Sequence, residues 1–260
     1  MQRTLDVNGL LMDIDGVLTT SWKPLPGAIE AVEWINGRGI PYALLTNTTE
    51  LSRTALLETL REAGFNINMR NLVTAPTTAS AYVRANHPHA KCFLIGAEAA
   101  REDLAELEIV DGDGDVVLIG GVSGPVSWPD MNRALRLVSG GAPLIAMHRS
   151  MTWMIEDGLV MDGGVALVAA LEEATGVRAV VCGKPAPECF TTALDLVGVP
   201  ARRAAMVGDD IVNDVLAAQE VGLRGVLVKT GKFREEVLER ARGRPDFIID
   251  SIQDLPRVLD

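Results

Sequence analysis

Two acidic side chains separated by one residue follow a short apolar run near the start of the chain. The apolar residues 10–12 lead directly into Asp13, Ile14 and Asp15. A buried strand that ends in two carboxylates can offer one as a nucleophile and the other as a proton carrier or metal ligand. The alternative is a strand followed by an ordinary turn, because Asp and Gly favour turns. Other polar loops must therefore decide between these interpretations.

Three later loops carry polar residues where predicted strands end. Thr46 and Asn47 follow one strand, Lys184 follows another, and Asp209 and Asp214 follow a third. Each loop alone has an ordinary explanation, such as a turn, a helix cap, a solvated lysine or acids that complement a helix dipole. Because the carboxyl ends of parallel strands share one edge of a sheet, the loops are predicted to converge there.

The residue types in these loops favour phosphoryl transfer. If Asp13, Asp15, Asp209 and Asp214 converge, two carboxylates ~4 Å apart repel by about 4 kcal/mol at an effective dielectric of about 20. Carboxylate oxygens suit Mg²⁺, which would relieve the repulsion and bridge to a phosphate. Lys184 would supply a second positive charge, and the hydroxyl and amide side chains of the second loop can donate to phosphoryl oxygens.

The elements that must position these loops alternate between strands and helices. The strands predicted in the outer sections of the chain are residues 10–12, 40–45, 177–182, 204–207, 225–228 and 247–249. The pattern predicts an α/β fold with a doubly wound, Rossmann-like parallel sheet. This core would comprise residues 1–76 and 177–260, with residues 77–176 inserted as a second α/β domain.

Composition limits the expected partners and location. The 24 Lys and Arg against 35 Asp and Glu give a net charge of −11, so we expect neither nucleic acid nor an anionic membrane as a partner. The three cysteines lack the spacing of a metal site, and we find neither a signal peptide nor an apolar run of membrane length. We therefore expect a cytoplasmic protein with reduced thiols.

Together, the four loops resemble the motifs of the haloacid dehalogenase superfamily of aspartyl-phosphate phosphatases. Residues 13–18 resemble its first motif, residues 44–47 its second, residues 183–185 its third, and residues 207–210 with Asp214 its fourth. The long insertion between the second and third motifs is similar to subclass IIA, which carries a large α/β cap. A finer likeness, to the phospholysine phosphohistidine inorganic pyrophosphate phosphatase branch, lies in residues 171–176, 183–185 and 208–212.

The resemblance implies a role for each acidic residue. Asp13 would be the nucleophile that forms an aspartyl-phosphate, and Asp15 would protonate the leaving group and then activate water. Mg²⁺ would be held by Asp13, Asp209 and the backbone carbonyl of Asp15. Asp214, and Asp210 as a further candidate, would orient this shell or contribute to it through water.

The resemblance also implies which residues bind the phosphoryl group and what the whole protein does. Thr46, Asn47 and Lys184 would bind the transferring group. The expected activity is Mg²⁺-dependent hydrolysis of a small phosphorylated compound, and the family suggests a homodimer through the cap. Within the cap, His148 and Arg149 could meet an anionic leaving group, or the stretch 146–164 could be a surface loop.

Three other functions remain open on the sequence. A haloacid dehalogenase would also use an aspartate nucleophile, but it has no use for Asp15 as an acid or for Mg²⁺. A phosphate-binding or signalling protein would keep its aspartyl-phosphate, whereas Asp15 favours turnover. A phosphotransferase would pass the group to an acceptor other than water.

Overall fold

The computed structural model describes residues 4–122, 124–155 and 158–259, and side chains except those of residues 153–159. These residues form two compact units. The first draws on Met1–Thr46, Thr54–Val73 and Lys184–Asp260, and the second on Asn47–Arg53 and Thr74–Gly183. Among the described residues, none of the helices has both the length and the apolar character that crossing a membrane requires.

Strands and helices alternate along most of the chain. The strands are β1 (Gly9–Asp13), β2 (Thr19–Thr20), β3 (Lys23–Pro24), β4 (Tyr42–Thr46), β5 (Leu72–Thr74), β6 (Lys91–Ile95), β7 (Glu108–Val110), β8 (Val116–Ile119), β9 (Leu144–Ala146), β10 (Thr152–Ile155), β11 (Gly158–Met161), β12 (Val180–Val181), β13 (Ala204–Gly208), β14 (Arg224–Val228) and β15 (Phe247–Ile249). The helices are α1 (Ala28–Gly37), α2 (Arg53–Glu62), α3 (Ala75–Asn86), α4 (Ala100–Asp103), α5 (Trp128–Ser139), α6 (Gly163–Thr175), α7 (Pro187–Val197), α8 (Ala217–Glu220), α9 (Glu235–Arg240) and α10 (Leu255–Leu259).

The first unit is built on a sheet with the strand order β15-β14-β13-β1-β4-β5. β1 pairs in parallel with both β13 and β4, and β14 pairs in parallel with β13 and β15. β4 and β5 extend the sheet on one side of β1, and the later strands extend it on the other. This order confirms the doubly wound fold predicted from the sequence, and it places a topological switch point at the carboxyl end of β1.

The register of β1 brings the predicted site loops to one edge of this sheet. Asp13, the last residue of β1, lies opposite Leu45 of β4, so Thr46 follows at the same edge. On the other side, Met12 lies opposite Val207, near the end of β13. All five residues of β1 are buried, as expected of a parallel strand that is covered on both faces.

The second unit has its own parallel sheet, with the strand order β12-β9-β8-β6-β7. Two buried apolar clusters pack within this unit. One includes Ala79, Leu118 and Cys182, and the other includes Phe93 and Val168. Alternate residues of β8 point to opposite faces and enter different clusters, as strand geometry requires.

The largest difference from the sequence prediction concerns the strand expected at residues 177–182. The prediction assigns it to the first unit, but the structure shows a short strand, β12, paired with β9 of the second unit. Its neighbour Cys182 is buried in the apolar cluster of that unit. An apolar run indicates a strand, but it carries no information about which sheet the strand joins.

Candidate active site

Three buried carboxylates converge at the carboxyl end of β1. Asp13 ends β1, Asp209 follows β13, and Asp214 lies in a π-helical turn, Ile211–Leu216. One oxygen from each carboxylate lies within 4.8 Å of the others. None of the three residues is more than 5% exposed. Buried negative charges at this separation are costly unless a positive charge compensates them.

Lys184 supplies such a charge. Its Nζ lies 2.8 Å from Asp13 Oδ1 and 2.8 Å from Asp214 Oδ1, and the side chain is only 3% exposed. Burial works to lower the pKa of Lys184, but the negative charges of Asp13 and Asp214 outweigh it and raise the pKa above its usual range. The ammonium is therefore charged, and it bridges the two carboxylates.

The single positive charge of Lys184 does not neutralise three carboxylates. Burial, and then the charges of Asp13 and Asp214, raise the pKa of Asp209 to about 8, although Lys232 opposes the shift. Burial likewise raises the pKa of Asp214 to about 6 against the effect of Lys184. The protein's own side chains thus leave a surplus of negative charge at this point, as expected of a cation site.

Backbone atoms surround the carboxylate of Asp209 closely. Its Oδ2 accepts the N–H of Lys232 at 2.7 Å. A Cβ atom added to Gly16 or Gly231 would overlap this oxygen, and both glycines have positive φ, +80° and +58°. Glycine is therefore required at both positions, because it alone combines this conformation with such a close approach.

The oxygen atoms of this cluster fit a magnesium ion. Within the described part of the chain, Asp209 Oδ1 is buried and accepts no hydrogen bond. A buried acceptor without a donor costs free energy, and a bound cation would satisfy it. Asp13, Asp209 and Asp214 offer hard carboxylate oxygens, the ligands that Mg²⁺ prefers.

Asp210 has a different task from its neighbours. Its Oδ1 accepts the N–H groups of Val212 and Asn213, each at 3.0 Å, so the side chain caps the π-helical turn. Burial works to raise the pKa of Asp210, but these hydrogen bonds and one from the Asn213 side chain hold it below its usual value. The backbone N–H of Asp210 also donates to Asp214 Oδ2 at 3.2 Å. Asp210 therefore positions Asp214.

The remaining predicted residues of the first unit lie at the same edge of the sheet. Thr46 ends β4 and is 4% exposed. Asp15 is partly exposed, and burial raises its pKa, although the charges of Lys232 and Lys184 oppose the shift. A raised pKa suits a carboxyl group that must carry a proton near neutral pH.

Asn47 belongs to the second unit. Its amide Nδ2 donates to the hydroxyl of Ser150 at 3.3 Å. The structure therefore brings together Asp13, Lys184, Asp209 and Asp214, and it places Asn47 among residues of the other unit.

The stretch 146–164, which stood out in the sequence, contains two basic side chains that each lie next to an acidic residue. His148 is 5% exposed, and its Nε2 lies 3.5 Å from Asp162 Oδ2. Arg149 Nη1 lies 2.9 Å from Glu172 Oε2. His148 is thus buried within the second unit, which the surface-loop alternative did not anticipate. Residues 156–157 of this stretch lie outside the described residues.

Lys232 is a further charged residue at this edge that was not predicted from the sequence. This residue follows β14, one strand beyond β13, at the edge where the other site loops emerge. Two residues before it, the hydroxyl of Thr230 donates to the carbonyl oxygen of Gly16. The available signal was a polar loop after the strand predicted at 225–228, the same signal that identified the other loops.

Comparisons of the sequence with known proteins identify relatives among hydrolases. A family model described as haloacid dehalogenase-like hydrolase matches residues 10–110, and one described as HAD-hydrolase-like matches residues 181–255. The phospholysine phosphohistidine inorganic pyrophosphate phosphatase of Rattus norvegicus is 33% identical over 267 residues, which cover 99% of this chain and 96% of that protein.

Solved structures show the same fold over nearly the whole chain. The p-nitrophenyl phosphatase from Archaeoglobus fulgidus superposes with a TM-score of 0.91 at 32% identity, covering 98% of this chain and 100% of that one. A glycerol phosphate phosphatase from Mycobacterium tuberculosis, in complex with magnesium, gives 0.87 at 28% identity, covering 96% of this chain and 76% of that one. This chain therefore belongs to the haloacid dehalogenase-like hydrolases.

Proposed function

We propose that this protein is a Mg²⁺-dependent phosphatase that hydrolyses a small phosphorylated compound through an aspartyl-phosphate on Asp13. The observation that carries the proposal is the ammonium of Lys184 between Asp13 and Asp214, beside Asp209. The relatives described above are named as phosphatases, which supports the same reaction class.

The two oxygens of Asp13 differ in their surroundings. Oδ1 lies 2.8 Å from Lys184 Nζ and accepts the N–H of Ile14 at 2.8 Å. Oδ2 accepts no hydrogen bond from the described residues. In the proposed reaction Oδ2 attacks phosphorus, while the contacts to Oδ1 keep the carboxylate oriented.

Asp15 would act twice in the cycle. Its raised pKa allows it to hold a proton, which it donates to the leaving oxygen as the aspartyl-phosphate forms. The carboxylate that results then accepts a proton from the water that hydrolyses the intermediate. Thr46, Asn47 and Lys184 are proposed to hold the phosphoryl oxygens during both steps.

Asp13, Asp209, Asp214 and the backbone carbonyl of Asp15 would hold the magnesium ion. When bound, the ion would neutralise charge on the phosphoryl oxygens in the transition state. The second unit is proposed to act as the cap that selects the leaving group. A homodimer through this unit and a cytoplasmic location stay predictions.

The test is phosphate release from a panel of phosphoesters, phosphoamidates and pyrophosphate, with and without MgCl₂, for the wild type and Asp13→Asn. We expect metal-dependent release that disappears in the variant, while the circular dichroism spectra of the two proteins agree. Substantial release by Asp13→Asn would remove this residue as the nucleophile.

Other outcomes would point to the alternative functions. A wild-type protein that becomes labelled by a phosphodonor and retains the label would be a phosphate-binding or phosphotransfer protein. Halide release from a haloacid, with none of the phosphates hydrolysed, would identify a dehalogenase.

A further inference from the structure

Two lysines lie at the carboxylate cluster, and their ammonium groups have different surroundings. Lys184 is 3% exposed and lies 2.8 Å from each of two carboxylate oxygens. Lys232 is exposed, and no carboxylate oxygen of the described residues lies within 4.0 Å of its Nζ. Lys184 is thus already paired with two carboxylates, whereas the ammonium of Lys232 has no ion pair with the described residues.

Lys232 is nevertheless anchored at the site. Its backbone N–H donates to Asp209 Oδ2 at 2.7 Å, which fixes the start of its side chain beside the cluster. Its ammonium is charged at neutral pH, as is usual for lysine, and it lies within electrostatic reach of Asp13, Asp209 and Asp214.

Open space adjoins this lysine. A cavity of about 200 Å³ is lined by Asp209, Lys232 and Arg234, together with apolar side chains that include Phe233 and Leu238. A lysine side chain is a flexible point charge with three donors. It can therefore turn toward an anion that arrives beside the cluster without first breaking an ion pair.

We infer that Lys232 is an anion-binding residue of this site, whose ammonium contacts the oxygens of a phosphate dianion when it enters as substrate and when it leaves as product. The inference rests on the proposed function, because that function brings a phosphate to the carboxylate cluster. Lys184, fixed between its two carboxylates, would meet the transferring phosphoryl group, and Lys232 supplies a second, mobile positive charge for the ligand.

Two substitutions separate the charge of Lys232 from its structural contact. Lys232→Met removes the ammonium but keeps a long side chain and the backbone N–H that holds Asp209. Lys232→Arg keeps the positive charge. The matched control is Lys229→Met, which removes a lysine three residues earlier whose Nζ lies 3.1 Å from Asp250. For each protein, calorimetry in saturating MgCl₂ gives the dissociation constant of inorganic phosphate, and assays with p-nitrophenyl phosphate give kcat and KM.

We expect Lys232→Met to weaken phosphate binding roughly tenfold, the effect of losing one charge-assisted hydrogen bond. KM should rise by more than kcat falls, Lys232→Arg should recover most of the affinity, and Lys229→Met should bind phosphate like the wild type. Unchanged phosphate binding by Lys232→Met would overturn the inference, as would an arginine variant no better than the methionine variant.

These measurements also separate this inference from the proposed function. A wild type that hydrolyses phosphoesters, with a methionine variant that binds phosphate equally well, would overturn the inference alone. A wild type that hydrolyses nothing but loses phosphate affinity in Lys232→Met would support the inference and overturn the proposed function. A wild type that binds no phosphate would overturn the inference.

Discussion

At the scale of single residues, Lys184 shows what a sequence can and cannot predict. Its position after a predicted strand marked it as a phosphate-binding candidate, although most lysines are solvated surface groups. The structure buries it between Asp13 and Asp214, 2.8 Å from each. Residue type and loop position were readable in the chain. The ion pairs were not, because they depend on how β1 and the π-helical turn meet in space.

Lys184→Met tests whether Lys184 both stabilises the buried carboxylates and binds the phosphoryl group. Removal of the ammonium leaves two buried carboxylates uncompensated, so without Mg²⁺ we expect the free energy of unfolding to fall by about 3–5 kcal/mol. Phosphate release should also be lost. Urea unfolding in EDTA and an assay of released phosphate measure the two effects.

Lys229→Met provides the comparison for stability. Lys229 is half-exposed and pairs with the exposed Asp250, so its loss should change the free energy of unfolding by less than about 0.5 kcal/mol. If Lys184→Met were as stable as Lys229→Met, the buried ion pairs would not stabilise the fold.

The raised pKa values in the acidic cluster predict that the stability of the protein depends on pH. The pKa of Asp209 is raised to about 8 and that of Asp214 to about 6, from an ordinary value of 3.8. The folded state therefore binds these protons more tightly than the unfolded state. Without metal, the stability that they contribute is fully present below pH 3.8 and is lost as the pH rises through about 6 and then about 8.

If these carboxylates hold magnesium as proposed, the ion should reverse this loss of stability, because it would bind their ionised form and release their protons. We expect saturating MgCl₂ to raise the Tm more at pH 8 than at pH 6, with thermal melts in EDTA as the reference at each pH. If MgCl₂ raised the Tm equally at the two pH values, or more at pH 6, the assignment of these carboxylates to the metal would be contradicted. Asp209→Asn should lose most of the gain.

At the scale of elements, the positions of the strands that carry the site could be predicted from the sequence. The contacts between the loops that follow these strands could not. β15 has the predicted bounds, and β1, β4 and β13 lie within a residue or two of theirs, because continuous apolar runs with polar ends mark buried parallel strands. The hairpin β10–β11 was not predicted. Neither was the approach of the loop after β14 to Gly16, since it joins residues far apart in the chain.

Gly16 offers a test of that approach. Its φ is +80° and a Cβ there would overlap Asp209 Oδ2, whereas Gly39, with φ +65°, faces open space. Gly39→Ala should cost only the strain of a left-handed residue, about 1–2 kcal/mol. Gly16→Ala should cost more in urea unfolding and should weaken Mg²⁺ binding in a calorimetric titration. Equal costs with unchanged Mg²⁺ affinity would show that the fit around Asp209 is not required.

At the scale of the whole molecule, the sequence predicted an inserted domain at residues 77–176, whereas the second unit of the structure includes Thr74–Gly183. The additional residues have defined contacts within that unit. Thr74 caps α3 by accepting the N–H of Thr77, and Val180 and Val181 of β12 pair with β9. Local patterns mark where elements begin, but they do not reveal that a short strand after α6 completes the preceding sheet.

These contacts predict that a fragment of residues 74–183 folds by itself. Both apolar clusters of the second unit are built from residues between Ala75 and Cys182, and a chain of this length is of ordinary domain size. We expect cooperative thermal unfolding, followed by circular dichroism. A fragment of residues 77–176 should melt at a lower temperature, because it lacks β12 and the Thr74 cap, which alone is worth about 1 kcal/mol. If the shorter fragment were equally stable, the boundaries predicted from the sequence would describe the domain; if neither unfolded cooperatively, the second unit would depend on the rest of the chain.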